Sequence, residues 1–235
     1  MIQLGLLGGS GRMGQWVQKL IETEFSQKIT LLAAPGRSHA LDSLLRCDVV
    51  IDFSLPQALT PFIETVLAQP KNQALPAFAI GSTGWTLDGR TQLERLAART
   101  PVLLASNFST GAAALVHALK QASPWLQQHG YVPVITERHH VHKKDAPSGT
   151  AISLQRAVSP AGPGNVQTLS VRAGEIVGDH EVNFIGANDE LVFAHYAQNR
   201  SIFARGALEA ALWLVAKKSN PNRTKKLYGT ENLFD

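Results

Sequence analysis

The stretch IQLGLLGGSGRMGQWVQKLIETEF, residues 2–25, decides the fold class of this 235-residue chain. An apolar run of strand length is followed directly by a glycine-rich turn, and the rest has the spacing of an amphipathic helix. A strand, a tight glycine turn and a helix in this order form the first unit of a doubly wound α/β sheet. The stretch therefore predicts a parallel sheet covered by helices.

The same alternation continues through the first hundred residues. Uninterrupted apolar strands separated by amphipathic helices indicate a sheet that is covered on both faces. Strands are predicted at 29–34, 48–54, 76–82 and 101–106, and helices at 57–69 and 87–99. We therefore expect an α/β fold with a Rossmann-type doubly wound parallel sheet, which forms a dinucleotide-binding domain over residues 1–108.

The pattern changes after residue 108. A helix at 111–121, a strand at 131–136 and a helix from Thr150 precede three extended stretches, at 167–172, 181–185 and 191–197. With little helix between them, these stretches favour an α+β substrate-binding domain with a mixed sheet over residues 109–205. A last helical pattern begins at Gly206, and we expect residues 206–235 to pack back onto the first domain.

Composition and charge exclude several classes of protein. With 44% hydrophobic and 17% charged residues the chain can bury a core, and no apolar run approaches the roughly 18 residues of a membrane helix. The N-terminus becomes glycine-rich instead of forming a signal peptide, and the single Cys47 forms no internal disulfide, so we expect a cytoplasmic protein without a membrane partner. The net charge of +4 gathers near the C-terminus without interleaved aromatic residues, which favours a solvated helix end over a nucleic-acid surface.

The glycine-rich turn matches two dinucleotide-binding patterns. Gly9, Gly11 and Gly14 fit GxGxxG, while Gly8 with the last two fits GxxGxxG. Such glycines permit a tight turn and the close approach of a pyrophosphate. A turn in which glycine serves only backbone geometry is the alternative. The turn therefore predicts a bound dinucleotide cofactor.

The residues after the second strand bear on the choice of nucleotide. NAD-binding domains normally place Asp or Glu there to hold a ribose hydroxyl. Here the strand runs into AAPGRSH, residues 33–39, which has no carboxylate but offers Arg37 and the Ser38 hydroxyl to a 2′-phosphate. We expect NADPH as the preferred cofactor, with NADH possible.

The segment ERHHVHKKDAPSGTA, residues 137–151, is the candidate substrate site. Three histidines and two lysines precede a Ser-Gly-Thr turn that can open a helix, and the first N–H groups of a helix attract anions. We expect these groups to converge on one small anion. The histidines could instead lie in solvent or bind a metal. The side chains of adjacent histidines point in different directions, and the neighbouring lysines repel a cation, so we predict no metal. Asp145 could cap the turn, and Arg172 and His180 could be exposed strand residues.

Together these motifs resemble the 4-hydroxy-tetrahydrodipicolinate reductase family, long called dihydrodipicolinate reductases. The matching pieces run in family order over nearly the whole chain, and the histidine segment is highly specific. They are GGSGRMG, VIDFS, GSTG, ASNFSTG, ERHHVHKKDAPSGTA, VRAGEIVGDHEVNF and GALEAALWL. The resemblance implies reduction of a small cyclic unsaturated imine dicarboxylate with NADH or NADPH in diaminopimelate and lysine biosynthesis, usually by a homotetramer built through the substrate domains.

The resemblance also implies site residues, position by position. His139 and Lys143 are the catalytic pair, His140 contacts a substrate carboxylate, and Gly149 and Thr150 hold a carboxylate. The cofactor is lined by Gly8, Gly9, Ser10, Gly11, Arg12, Met13, Gly81, Ser82, Thr83, Ala105, Ser106, Asn107 and Phe108. The chain departs from the family at Gly36, where an acidic residue is frequent, and in a shorter connection from there to VIDFS.

The sequence leaves the proton donor, the role of two loops and the class of function open. The proton that follows hydride transfer can come from His139 or Lys143, and the residues alone do not separate the two. The loops at 81–84 and 105–108 follow apolar strands and are expected to line the ligand crevice, although either could be just a turn. A non-catalytic NADP-binding sensor, or a dehydrogenase for another small dicarboxylate, would use the same motifs.

Overall fold

The computed structural model describes residues 1–36, 41–159, 165–220, 224 and 226–234. The chain divides into two compact units, Met1–Phe108 with Ser201–Asp235, and Ser109–Arg200. Among the described residues, no helix combines the length and the apolar character that crossing a bilayer requires.

The elements alternate in the first half of the chain and then change character. In order they are β1 (Ile2–Leu7), α1 (Arg12–Leu20), β2 (Ile29–Ala33), β3 (Val49–Asp52), α2 (Pro56–Ala68), β4 (Ala77–Ile80), α3 (Leu87–Ala97), β5 (Val102–Leu104), α4 (Thr110–Gln128), β6 (Val132–His139), α5 (Gly149–Val158), β7 (Gln167–Arg172), β8 (Gly178–Ile185), β9 (Glu190–Ala197), α6 (Ser201–Lys218) and β10 (Leu227–Tyr228). A π-helical turn, Ile21–Phe25, continues α1, and two 3-10 segments lie at Leu41–Arg46 and Thr230–Phe234.

The first unit is built on a six-stranded sheet in the order β10-β5-β4-β3-β1-β2. Every neighbouring pair in it is parallel. This confirms the predicted doubly wound sheet. The order of the strands reverses between β1 and β3, and in such sheets the ligand crevice lies beyond the carboxyl ends of the strands at this point.

Side-chain alternation along the strands assigns each helix to one face of this sheet. Val49 and Ile51 of β3 belong to the core that α1 and α6 share. Val50, between them, belongs with Phe78 to the core under α2 and α3. Because both faces of β3 are covered, its four residues are all buried, which explains the uninterrupted apolar run in the sequence.

The second unit contains a mixed sheet in the order β7-β6-β8-β9. β6 and β7 are parallel, while β8 is antiparallel to both β6 and β9. The helices α4 and α5 cover one face of it, around a core that includes Leu119, Leu154 and Phe184. The mixed sheet predicted for this part of the chain is therefore confirmed.

Several elements extend beyond their predicted ends. α4 continues to Gln128 through Pro124, since the burial of Leu126 beyond the proline outweighs the one lost backbone hydrogen bond. β6 continues to His139, and α6 begins at Ser201 and not at Gly206. The extension of β6 matters for function, because it places the first histidine of the 137–151 segment on the sheet and not in a loop.

Candidate active site

The glycine turn after β1 has the geometry of a dinucleotide-binding loop. Gly8 has a φ of +79°, a conformation that side chains disfavour. A Cβ on Gly14 would lie 2.3 Å from the carbonyl oxygen of Gly8, so α1 begins in direct contact with the turn. The amide of Gly11 donates to the same oxygen at 3.0 Å, which closes the turn.

The start of α1 fits a pyrophosphate. Gly11 is its N-cap, no side chain caps the helix, and its first turn carries no acidic residue. The first amides of a helix have no partner within it and carry the positive end of the helix dipole. The side chain of Gln18, in α1, donates to the carbonyl oxygen of Gly9 at 2.9 Å and so anchors the loop to the helix. The first turn of α1 is thus a suitable site for the phosphates of a nucleotide.

Asp52, at the carboxyl end of β3, organises the neighbouring loops. Its buried carboxylate accepts the Ser82 hydroxyl at 2.5 Å, the Ser54 amide at 3.0 Å and the Ser54 hydroxyl. Burial raises the pKa of Asp52, and these hydrogen bonds oppose the rise. The sequence patterns predict no role for Asp52, although a carboxylate directly after the three apolar residues 49–51 is a usable signal.

The loops after β3 and β5 meet through an aromatic contact. The rings of Phe53 and Phe108 lie edge to face with centroids 5.8 Å apart. Phe53 also lies against Gly81, where a Cβ would come 2.4 Å from its ring. Four loops of the first unit therefore end at one edge of its sheet.

The predicted cofactor residues differ in what they present at this edge. Gly8, Gly9 and Met13 are partly buried, and Ala105 and Phe108 are buried. Ser82 is also buried, and its hydroxyl is engaged by Asp52. The exposed ones are Ser10, Gly11, Arg12, Thr83 and Ser106, with Gly81 and Asn107 intermediate. Arg37, predicted to bind a 2′-phosphate, lies outside the described residues.

In the second unit, the 137–151 segment runs from β6 into the N-terminus of α5. His139 ends the strand and is buried, and α5 begins at Gly149 with Ser148 as its N-cap. The Ser148 hydroxyl accepts the amide of Ala151 at 3.1 Å. Gly149 and Thr150, the two predicted carboxylate-binding residues, thus form the first turn of a capped helix, where anions are favoured.

The three histidines and two lysines of the segment do not all turn toward one site. His142 is 78% exposed, 4.0 Å from Glu175, and Lys144 is exposed. Lys143 is only partly exposed, and His140 is partly buried. Within the segment His139 is therefore buried, while His140 and Lys143 are both partly buried.

Lys143 is held in place by its own loop. Its ammonium donates to both oxygens of Asp145, at 2.8 and 2.9 Å. Burial raises the pKa of Asp145, but the Lys143 hydrogen bond and charge outweigh it and lower that pKa overall. Arg172 of β7 donates to the carbonyl oxygens of Lys143 and Asp145, at 3.3 and 2.5 Å. Asp145 thus pairs with the predicted catalytic lysine, which the sequence did not predict.

The most buried polar group near this loop is the carboxylate of Glu137. It pairs with Arg172 at 2.9 Å, accepts the Ser148 amide at 3.1 Å and lies 3.3 Å from Nδ1 of His139. Burial raises its pKa, but hydrogen bonds from Ser148, Ser170 and Arg172 outweigh burial and lower the pKa to about 2. Glu137 is therefore ionised at neutral pH.

The histidines beside this carboxylate are neutral at pH 7. Burial lowers the pKa of His139 to about 4, although the charge of Glu137 opposes the shift. Burial, and then the charge of His139, lower the pKa of His180 to about 3. The interpretation of His180 as an exposed strand residue is wrong, because β8 directs it under the N-terminus of α5, where Nε2 lies 3.1 Å from the Ser148 hydroxyl. Arg172 is likewise partly buried and paired with Glu137.

Glu137, His139 and His180 also form a possible set of metal ligands, since their ligand atoms lie within 4.8 Å of one another. Arg172 already pairs with one carboxylate oxygen of Glu137, and the Ser148 amide donates to the other. A guanidinium at this distance repels a divalent cation. The donors present therefore suit a protonic network better than a metal ion.

Two family models together match almost the whole chain. The model described as "Dihydrodipicolinate reductase, N-terminus" matches residues 2–108, and the model described as "Dihydrodipicolinate reductase, C-terminus" matches residues 111–234. The resemblance drawn from the motifs is thereby confirmed.

Relatives of similar length carry the same enzyme name. A 4-hydroxy-tetrahydrodipicolinate reductase from Zymomonas mobilis is 36% identical over 256 residues, which cover 97% of each chain. One from Xanthomonas campestris is 37% identical over 234 residues, which cover 94% of each.

Solved structures agree on the fold. A dipicolinate-bound dihydrodipicolinate reductase from Paenisporosarcina covers 99% of both chains with a TM-score of 0.76 at 22% identity. An aspartate dehydrogenase from Thermotoga maritima is more distant, with a TM-score of 0.52 at 14% identity. With both family models and full-length relatives in agreement, the chain belongs to the dihydrodipicolinate reductase family.

Proposed function

We propose that this protein reduces 4-hydroxy-tetrahydrodipicolinate to tetrahydrodipicolinate in diaminopimelate and lysine biosynthesis, with NADH or NADPH as the hydride source. The observation that carries the proposal is the second unit's site, where the Glu137 carboxylate contacts both His139 and the N-cap amide of α5, and where the charge of Lys143 acts on His139. Full-length relatives that carry this enzyme name support it. Dicarboxylates match an arrangement of one ammonium and a helix N-terminus.

The residues divide the chemistry between binding and proton transfer. When bound, the nicotinamide supplies a hydride to the substrate ring. Gly149 and Thr150 hold one carboxylate of the substrate through backbone and hydroxyl donors, and His140 contacts a carboxylate. Lys143 donates the proton, because its side chain is an ammonium whereas the pKa of His139, about 4, leaves that ring neutral at pH 7. The neutral ring then orients the substrate, and the bound dicarboxylate raises the pKa of His139.

The first unit would bind the nucleotide and the second the substrate. We assign cofactor binding to Met1–Phe108 with Ser201–Asp235, and substrate binding and tetramerisation to Ser109–Arg200. The cofactor-binding residues are those of the three loops at 8–13, 81–83 and 105–108. A glycine turn with an uncapped helix N-terminus supports the first assignment.

NADPH is the cofactor that we expect the enzyme to prefer. The segment at 33–39 lacks a carboxylate for the ribose hydroxyl and carries Arg37. Arg37→Ala is expected to lower kcat/KM for NADPH roughly tenfold, the value of a lost charge-assisted contact, and to leave the value for NADH unchanged. Paired titrations with both nucleotides test this. Equal kcat/KM for the two in the wild type, unaltered by the substitution, would contradict it.

A homotetramer is supported by the uncovered face of the mixed sheet. Apolar side chains on that face, Leu169, Val171, Val192 and Tyr196, are 41–50% exposed. Exposed apolar surface of this kind marks protein interfaces. Light scattering on the purified protein measures the molar mass. We also propose a cytoplasmic location, since Cys47 is buried as a free thiol.

Turnover with defined variants tests the proposed function. Purified protein and freshly synthesised 4-hydroxy-tetrahydrodipicolinate are expected to oxidise NADPH, and His139→Ala and Lys143→Ala are each expected to lower kcat by about 10²–10⁴. Full activity in both variants would refute the assignment of the pair. Nucleotide binding without turnover in the wild type would favour a sensor, and turnover only with other dicarboxylates would favour a different dehydrogenase.

A further inference from the structure

Glu137 occupies a central place in a polar row across the mixed sheet. It lies opposite His180 in the pairing of β6 with β8, and His180 lies opposite His195 in the pairing of β8 with β9. His139 lies two residues beyond Glu137 on the same strand, and thus on the same face. This face carries α4 and α5, so the row lies in the interior of the unit.

Glu137, His180 and His195, which pair across β6, β8 and β9, each contact a helix N-cap. Glu137 accepts the Ser148 amide, and His180 lies 3.1 Å from the Ser148 hydroxyl, both at the start of α5. His195 lies 3.0 Å from the hydroxyl of Ser109, the N-cap of α4. The row therefore ties the sheet to the N-termini of α4 and α5.

Glu137 itself connects three parts of that site. Its Oε1 accepts Arg172, which also holds the carbonyl oxygen of Lys143 at 3.3 Å. Its Oε2 accepts the Ser148 amide and lies 3.3 Å from Nδ1 of His139. One carboxylate thus contacts the catalytic histidine, the carboxylate-binding helix and, through Arg172, the loop of the catalytic lysine.

We propose that Glu137 is a positioning residue, which keeps the proton of the neutral His139 ring on Nδ1 and fixes the start of α5 for the substrate carboxylate. The inference rests on the proposed function. Nε2 of His139 is then left unprotonated. It lies beside Gly178, where a Cβ would come within 3.1 Å of it, so the glycine leaves that edge of the ring uncrowded.

The chemistry of the surrounding donors requires an ionised carboxylate at this position. The Arg172 guanidinium and the Ser148 amide both donate to Glu137, and a carboxylate is acceptor-only. Nδ1 of His139 lies 3.3 Å from Oε2 without the geometry of a hydrogen bond, so Glu137 acts on it through its charge. A glutamine side chain has only one acceptor oxygen, and its NH₂ group would face either the Arg172 guanidinium or the Ser148 amide, both of which are donors. An unpaired or opposed buried donor loses its hydrogen bond and its hydration together. Glutamate is therefore the side chain that satisfies both donors and also places a negative charge beside Nδ1 of His139, which favours a proton on that nitrogen.

Glu137→Gln and Glu137→Asp separate charge from shape. Glu137→Gln is expected to lower kcat roughly ten- to a hundredfold, because His139 and the start of α5 are no longer held in position. The KM for the dicarboxylate should rise several-fold, and the KM for NADPH should stay unchanged. The dissociation constant of the Glu137→Gln variant for pyridine-2,6-dicarboxylate should rise together with this KM for the dicarboxylate. Glu137→Asp keeps the charge and recovers part of each loss. Glu94→Gln, which removes an exposed carboxylate from α3, serves as the matched control and matches the wild type.

The pH profile gives a second measure. The charged or titratable groups that face His139 are Glu137 on its own strand, Arg172 from β7, His180 from β8, and Lys143 and Asp145 from the loop. Of these, the Glu137 carboxylate raises the pKa of His139 most. Its removal moves the acidic limb of the kcat/KM profile to lower pH in Glu137→Gln, and Glu137→Asp restores it.

Nitrogen NMR of the imidazole tests the tautomer without turnover. The wild type is expected to carry the His139 proton on Nδ1 at pH 7, and Glu137→Gln to shift it toward Nε2. A wild-type proton on Nε2 would overturn the inference even if no variant folds. So would a Glu137→Gln enzyme with unchanged kcat and dicarboxylate affinity, or a Glu137→Asp enzyme as impaired as Glu137→Gln. If the wild type fails to turn over the substrate, the proposed function fails, while the NMR signal still decides the role of Glu137.

Discussion

Single residues at the two candidate sites are constrained by contacts with other parts of the chain. The glycines of the turn at 8–14 could be predicted, because their spacing reports a local geometry. The partnership of Glu137 with Arg172 could not, because the two lie on different strands and meet only through the pairing of β6 with β7. Sequence spacing carries information about neighbours along the chain, and much less about partners across a sheet.

Gly14 offers a test at this scale. A methyl group in Gly14→Ala would lie 2.3 Å from the carbonyl oxygen of Gly8, so the first turn of α1 must move. We expect the free energy of unfolding to fall by about 1–3 kcal/mol. The dissociation constant for NADPH should rise roughly tenfold or more, since the helix N-terminus leaves the pyrophosphate. Urea unfolding and a fluorescence titration measure the two effects.

Gly11→Ala is the comparison variant. Its nearest contact would be the same Gly8 oxygen at 3.2 Å, at an exposed position. We expect a smaller loss of stability, of about 1 kcal/mol, which is the difference between glycine and alanine at an N-cap without a severe steric clash. Nucleotide binding still weakens, because the added methyl faces the phosphates. Unaltered NADPH affinity in Gly14→Ala would show that the turn serves backbone geometry alone.

At the scale of elements, apolar periodicity predicted the type of most helices and strands but not all their ends. The sequence predicted β3 and β4 correctly, because both faces of each strand are buried and their residues form apolar runs. β6 was predicted to stop at 136, yet its polar residues Glu137 and His139 continue the strand with their side chains inward. A buried polar pair breaks the apolar pattern on which the prediction depends. β10 was not predicted, because its two residues are too few to show an alternation of apolar and polar side chains.

The helix N-termini show a similar division between local and tertiary information. The Ser-Gly-Thr turn predicted the start of α5, and Ser148 is its N-cap as the capping preference of serine requires. The contact of Ser148 with His180 depends on β8, which follows much later in the chain. The candidate anion site was therefore recognisable as a motif, while its support became visible only in the folded sheet.

For the whole molecule, the buried network predicts that stability falls on mild acidification. The ordinary pKa of histidine is 6.5, whereas the pKa of His139 is lowered to about 4 and that of His180 to about 3. Below pH 6.5 the unfolded chain binds protons on these rings and the folded chain does not, so the free energy of unfolding falls from pH 6.5 to about pH 4. Glu137, with its pKa lowered from 4.5 to about 2, adds a further loss as the pH falls through that lower range.

Urea unfolding at pH 7 and pH 5 measures this dependence. His180→Asn is expected to lose less stability between the two values than the wild type, because one depressed histidine has been removed. His142→Asn is the control, since that ring is 78% exposed and should leave the dependence as it is. Equal losses in the wild type and His180→Asn would contradict the assignment of the pH dependence to the buried ring.

The central claim is that hydride passes from a reduced nicotinamide to the dicarboxylate ring on this enzyme. The most direct measurement uses NADPH deuterated at both C4 positions, with freshly generated 4-hydroxy-tetrahydrodipicolinate and mass spectrometry of the product. We predict tetrahydrodipicolinate that carries a single deuterium, formed in step with oxidised nucleotide, and almost none with Lys143→Ala. Unlabelled product, or nucleotide oxidation without reduced dicarboxylate, would contradict the account.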